Sequence, residues 1–232
     1  MAKASTRAPV LGPAFIRLLA RFGDADLPRT PPVLTERLAQ WFDWNRAITL
    51  SRALDNRLPD PEAGAAFDDA QDAECARLRQ TLLDTIEADV DLSAPRRKDA
   101  SAAGVDPGYL PYRQHCLAAQ RAMQATTGLL RGRLRDMLAL QAPTKARLAE
   151  VDAVMEATLS PREQALLAVV PNLLGLHYQR LRQAALPDST GADAPDDTPA
   201  APPAGPWLAR FRQDMRTALL AELEVRFHPI DG

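Results

Sequence analysis

The chain has 232 residues, of which 25% are charged and 46% are hydrophobic. These proportions are typical of globular proteins and exclude a chain that is disordered throughout. The formal net charge of −2 at pH 7 excludes attraction to polyanions through overall charge alone.

Apolar residues recur at helical spacing through the first part of the chain. The pattern predicts helices over residues 13–22, 33–42, 46–54 and 67–90. Asn45 is the predicted N-cap of the third helix. The aromatic residues Trp41, Phe42 and Trp44 are either an anchor for a partner or packing between two short helices. The second interpretation is favoured, because aromatic side chains dominate protein cores.

The fourth predicted helix is strongly acidic. Residues 60–91 contain ten acidic residues and only two arginines. Asp68 and Asp72, one helical turn apart, could contribute to a di-metal site, but such a site also needs Glu-x-x-His motifs from other helices. The sequence has no such motif, so we expect a solvated acidic face and neither a metal nor another cofactor.

The longest predicted helix covers residues 109–141 and carries a seam of residues spaced alternately by four and three. Gln120 and Thr127 make the seam partly polar, and polar seam residues favour one register. Arg131 and Arg135 share a face one turn apart. We predict that these four residues bind a partner helix. The alternatives are a seam internal to the bundle, arginines paired with the acidic helix, and nucleic-acid binding by Arg131, Arg133 and Arg135.

The second half of the chain predicts three more helices. One begins at Pro143, and the next begins at the capping box Ser160–Glu163 and runs to about residue 185. Pro171 should kink that helix, because proline removes a backbone hydrogen bond. The last helix covers residues 207–227.

Residues 187–206 contain six prolines and are predicted to form a flexible linker. The linker lets the C-terminal unit, residues 207–232, dock on the bundle or on a partner. The expected fold is all-α: a single-domain helical bundle of about seven helices over residues 13–186, with a long central helix and a kinked core helix.

The chemistry of the chain gives few signs of catalysis. The sequence lacks phosphate-binding glycine loops, the nucleophile elbow and the zinc protease motif. His177 and Tyr178 could form an enzyme site with carboxylates of the acidic helix. We favour a non-enzymatic scaffold or adaptor, and the alternatives are an enzyme around His177 or a nucleic-acid-binding helical protein.

Cysteine use and hydropathy predict a cytoplasmic location. Cys75 and Cys116 do not form a close pair, which argues against a disulfide framework and a thiolate zinc site. The most apolar run, residues 165–176, is shorter than the roughly 20 residues that cross a bilayer. Residues 1–12 lack the apolar run of a signal peptide and are expected to be disordered. We expect no direct membrane insertion.

Several segments resemble an uncharacterised bacterial family, domain of unknown function 3348. The resemblance rests on FIRLLARFGDADLP (15–28), ERLAQWFDWNRAITLSRAL (36–54), LRGRLRDMLA (130–139), RLAEVDAVME (147–156) and FRQDMRTALLAELEVRFHPIDG (211–232). These strings cover most of the predicted helices. The family has no assigned catalytic residues, so the resemblance implies none for this chain.

The resemblance also implies a setting for the protein. Genes of the family tend to lie beside those for stator-like proton-channel membrane proteins and OmpA-like envelope proteins. By analogy, the expected partner is a stator-like membrane protein encoded nearby, for which this chain would be a cytoplasmic accessory. A homodimer is a second expectation, and no nucleic-acid partner is expected.

Overall fold

The computed structural model describes residues 14–23, 34–55, 67–88, 108–186 and 205–231. Its elements are α1 (Ala14–Gly23), α2 (Leu34–Trp41), α3 (Trp44–Asp55), α4 (Asp69–Ala88), α5 (Leu110–Ala139), α6 (Pro143–Leu167), α7 (Val170–Ala184) and α8 (Pro206–Asp231). These ranges contain no strand, so the predicted all-α class is confirmed. Because α6 and α7 form one bent helix of 42 residues, the described part of the chain has the predicted seven helices.

The core is built from α4, α5, the bent α6–α7 helix and α8. Tyr112 packs on Phe211 with ring centroids 5.2 Å apart, and Gln120 binds Glu222, so α5 and α8 run parallel. Salt bridges from α4 to α8 join Arg79 to Asp231 and Glu87 to Arg216, which makes α4 antiparallel to α8. The helices thus alternate in direction around a shared interior.

The C-terminal helix lies at the centre of this core. Its large apolar side chains that are fully buried are Phe211, Met215, Leu219, Leu223 and Phe227. Burying a side chain of this size contributes roughly 1.5–3 kcal/mol. Removing α8 would therefore expose much of the interior. Within this chain the helix docks on its own bundle.

The bend between α6 and α7 lies at Ala168–Val169, three residues before Pro171. Proline cannot donate to the carbonyl four residues earlier, so the break falls there and the predicted kinked core helix is confirmed. The predicted helix start at Ser160 is wrong. α6 continues through Pro161, and the Ser160 hydroxyl accepts a hydrogen bond from the Gln164 side chain at 3.2 Å instead of capping a new helix.

Aspartates cap both α3 and α4. Asp43, not Asn45, caps α3, because its carboxylate accepts a hydrogen bond from the backbone N–H of Arg46 at 2.8 Å. Asp68 and Gln71 form a capping box at the start of α4. The predicted end of the last helix before Pro229 is also wrong, since α8 continues to Asp231.

The remaining helices are peripheral. α1 packs on α7 and α8 through the fully buried Phe22. α3 packs on α6, and no described side chain of α2 or α3 belongs to the main buried cluster. The predicted disordered segment 1–12 lies outside the described residues, as does the predicted linker 187–206 except for its last two residues. Among the described helices, none is long and apolar enough to cross a membrane.

Candidate functional site

The polar seam of α5 faces the interior of this chain. Gln120 and Thr127 are each 8% exposed. The Thr127 hydroxyl donates to the backbone carbonyl of Met123 at 2.8 Å, which satisfies it within its own helix. The side-chain amide of Gln120 instead donates to two acceptors in other helices.

Those two acceptors are the carbonyl oxygen of Leu167, at 3.0 Å, and a carboxylate oxygen of Glu222, at 2.9 Å. In a continuous helix the N–H of residue 171 would bind the Leu167 carbonyl, but Pro171 has no N–H. Gln120 therefore satisfies the carbonyl that Pro171 leaves unpaired. The other carboxylate oxygen of Glu222 accepts two hydrogen bonds from Arg226, at 2.8 and 3.0 Å.

The three arginines near the end of α5 bind carboxylates of neighbouring helices. Arg131 forms a two-pronged contact with Asp152 of α6. Arg135 binds Asp152 at 3.2 Å and also binds Glu156. The Glu156 hydrogen bond is the main cause of a raised pKa at Arg135, which keeps this guanidinium charged.

Arg133 alone follows the predicted pairing with the acidic helix, because its guanidinium binds Glu74 of α4. Each of the four residues predicted to bind a partner thus forms a hydrogen bond or an ion pair within this chain. These residues are Gln120, Thr127, Arg131 and Arg135. Their role in partner binding stays a prediction. Two of them are buried, so a partner could reach them only after the bundle opened.

His177 and Tyr178 point to different environments. Nε2 of His177 lies 2.8 Å from a carboxylate oxygen of Asp214 on α8, and the imidazole stacks on the Phe22 ring at 4.6 Å. Tyr178 is buried against Trp207 and Phe211. The predicted site therefore does not form as expected: the carboxylate beside His177 comes from α8 rather than from the acidic helix, and Tyr178 is buried in an aromatic cluster.

The cysteines and acidic residues do not assemble a metal centre in the described ranges, where no group of three or more His, Cys, Asp or Glu residues could hold an ion. Burial, and then the Glu222 carboxylate, raises the pKa of Cys116 from 9.0 to about 12. Burial is also the largest cause of the raised pKa of Cys75. Both thiols are therefore protonated, which makes them poor nucleophiles at neutral pH.

An apolar groove opens between the α2–α3 pair and Met155 on the side of α6. It has a volume of about 540 Å³ and is lined by Ala39, Phe42, Ala47, Leu50, Ser51, Leu54, Asp55 and Met155. Leu54 is 49% exposed at one end, and Trp44, one turn before Ala47, is 79% exposed. An exposed apolar surface of this kind is typical of interaction sites.

Sequence reasoning missed the residues that complete these contacts. Asp214, Asp152 and Glu222 lie 17 to 102 residues along the chain from the groups that they bind on other helices. Spacing along one helix carries no signal for such pairs. The WFDW motif was the one available signal for the groove, and of its aromatic residues only Trp44 is largely exposed.

Comparison with known proteins agrees with the resemblance seen in the sequence. A family described as "Protein of unknown function (DUF3348)" matches residues 1–232. The chain belongs to this family. No curated protein and no solved structure matches the chain. Membership of DUF3348 assigns no activity, so a function for this chain has to be argued from its own surface.

Proposed function

We propose that this DUF3348 protein is a non-enzymatic, cytoplasmic adaptor that binds a helix of a partner protein in the groove between α3 and α6. The observation that carries the proposal is the exposed apolar groove, together with Trp44, which is exposed one turn before the lining residue Ala47. Amphipathic helices bind such grooves through apolar anchors spaced by three, four and seven residues.

The dimensions of the groove support a helical occupant. α3 has 12 residues, so its axis is about 18 Å long, or a little over three turns. Trp44, Ala47, Leu50 and Leu54 follow one another at helical spacing along it. A partner helix of three turns would present two or three anchors to this row and would cover the exposed parts of Trp44 and Leu54.

The resemblance to the family supplies the first candidate partner, the cytoplasmic part of a stator-like membrane protein encoded nearby. A second copy of the chain is the other candidate. The two differ in what a covalent capture experiment would recover, because a homodimer yields only this chain.

Photocrosslinking in the native host tests the proposal. A benzoylphenylalanine placed at Trp44 should crosslink to a partner protein. The same group at Leu129 of α5, which is 77% exposed, is the matched control and should not. Substitution Leu54→Asp should lower the crosslinked fraction from position 44 at least about fivefold, because it buries a charge in the contact.

The possible outcomes test separately whether the groove is the contact and which protein binds there. Equal crosslinking from positions 44 and 129, or a yield from position 44 that ignores Leu54→Asp, would rule out the groove as the contact. A specific crosslink to a protein unrelated to stator components would keep the adaptor role and reject the stator-like partner. A crosslink only to this chain would identify a homodimer.

A further inference from the structure

A cavity lies where four helices meet. The start of α4, the last third of α5, the first half of α6 and the end of α8 surround a volume of about 420 Å³. Cavities of this size hold small molecules in many proteins. We call it the arginine cavity, because Arg131 and Arg135 line it together with Leu134, Leu138, Leu148 and Ile230.

Much of the lining of the arginine cavity is apolar. Leu134 and Leu138 lie one turn apart on α5 and are half-buried. Leu148 of α6 and Phe67, just before α4, also line the cavity and are 57% and 38% exposed. An apolar molecule in the cavity would remove part of this surface from water, which favours binding.

The arginines supply hydrogen-bond donors to the same cavity. A guanidinium group has five N–H donors. Arg131 donates two hydrogen bonds to Asp152, and Arg135 donates one to Asp152 and one to Glu156. Each guanidinium thus keeps three of its five N–H groups without an acceptor among the described residues. Their side chains are 20% and 24% exposed, so a ligand can reach them.

The carboxylates beside these arginines already accept hydrogen bonds. Both oxygens of Asp152 bind guanidinium groups, and one oxygen of Glu156 binds Arg135. The hydrogen-bonding capacity that remains on this side of the cavity therefore consists mainly of donors. A ligand group that only accepts, such as a carboxylate, fits it best.

The α4 side of the cavity carries the opposite charge. Burial, and then the carboxylates of Asp72, Glu74 and Asp231, raises the pKa of Cys75, which lines this side. The negative charges there disfavour an anionic group on α4. The charged group of a ligand therefore belongs on the α5 side, and one negative charge is accommodated better than two.

We propose that the arginine cavity binds a small amphipathic carboxylate. Its carboxylate accepts hydrogen bonds from the remaining N–H groups of Arg131 and Arg135, a pairing that is short and strong because both partners are charged. Its apolar body packs against Leu134, Leu138 and Leu148. The cavity shares no lining residue with the groove of the proposed function, so the two sites can be tested one at a time.

Isothermal titration calorimetry of the full chain with octanoate, octanol and octylammonium tests the proposal. The three probes share one apolar chain and differ in the group at its end. Octanoate should bind at least about fivefold more tightly than octanol, because charge-assisted hydrogen bonds are stronger than neutral ones. It should bind at least about tenfold more tightly than octylammonium, which has no acceptor for the arginines.

Two variants locate the site. Arg135→Gln/Glu156→Gln removes both members of one ion pair and leaves the formal net charge unchanged. It should weaken octanoate binding at least about fivefold and octanol binding less than about twofold. Leu148→Ser should weaken both probes at least about threefold, because it removes apolar wall. Leu166→Ser is the matched control on the same helix, since Leu166 is 68% exposed and does not line the cavity.

The proposal is overturned if none of the probes binds or if octylammonium binds as tightly as octanoate. It is also overturned if the Arg135→Gln/Glu156→Gln variant loses as much affinity for octanol as for octanoate. Equal losses from Leu148→Ser and Leu166→Ser would place the binding elsewhere and would reject the cavity. If circular dichroism shows that the Arg135→Gln/Glu156→Gln variant is unfolded, the order of the three probes and the comparison of the two leucine variants decide the question.

Discussion

Arg226 and Glu222 carry opposite charges inside the core, where their side chains are 7% and 0% exposed. Removing one member of a buried ion pair leaves an uncompensated charge and is strongly destabilising. Replacing both members with apolar residues of similar size often is not. Loss of one member of the pair is therefore expected to lower the free energy of unfolding more than loss of both. Gln120 also binds Glu222, but an amide cannot neutralise the carboxylate as a guanidinium does.

We predict that Arg226→Met lowers the free energy of unfolding by about 3–5 kcal/mol. The double variant Glu222→Leu/Arg226→Met should lose clearly less. Urea denaturation followed by circular dichroism measures both. If the double variant is as unstable as the single one, the loss comes from packing and not from the unpaired carboxylate.

The Cys116 thiol gives a prediction about pH. Its pKa is raised from 9.0 to about 12 by burial and by Glu222, so the folded protein holds a proton that the unfolded chain releases. The stabilisation is complete below pH 9 and is lost as the pH rises towards 12. Replacing Cys116 with Ala should make stability fall less steeply between pH 9 and 12, as measured by urea denaturation. An unchanged slope would contradict the shifted pKa.

At the scale of elements, the bend of the α6–α7 helix and the seam of α5 depend on each other. Pro171 leaves the Leu167 carbonyl without its backbone donor, and Gln120 binds that carbonyl at 3.0 Å. Leaving a buried acceptor unsatisfied costs about 1–3 kcal/mol. Gln120, which is predicted to bind a partner, thus also completes the hydrogen bonding of a broken helix.

A double-mutant cycle tests this dependence. Gln120→Leu should destabilise the protein by about 1–3 kcal/mol. In a Pro171→Ala background the loss should be smaller, because residue 171 then has an N–H that can bind the Leu167 carbonyl. Equal losses in the two backgrounds would contradict the role of Gln120 as the replacement donor.

Helical periodicity predicted most elements because each buried stripe lies within one segment. For this reason the helix predicted over residues 109–141 is observed with nearly the same bounds, Leu110–Ala139. Ser160–Glu163 misled the prediction, because packing of a continuous α6 outweighed a local capping signal. Pro229 did not end α8, whose C-terminal residues are held by contacts such as Asp231 with Arg79. The contacts of the candidate sites join residues on different helices, and spacing along one helix does not predict such contacts.

At the scale of the whole molecule, the chain is a closed four-helix core with α1 and the α2–α3 pair attached from outside. The α2–α3 pair is joined to the core chiefly by the packing of α3 on α6, and Ala53 is the one buried residue of α3. Segments with few buried contacts open at low cost in free energy. The groove therefore lies beside the part of the fold that can adjust most easily to an occupant.

Hydrogen exchange of the isolated protein and of its crosslinked complex, analysed by mass spectrometry, tests the central claim most directly. In the free protein residues 39–55 should exchange faster than α5 and α8, which form the buried core. In the complex, residues 39–55 and 143–155 should become protected, because a bound helix would cover α3 and α6. Unchanged exchange in residues 39–55, with new protection confined to α1 and α7, would contradict the claim that the α3–α6 groove binds the partner.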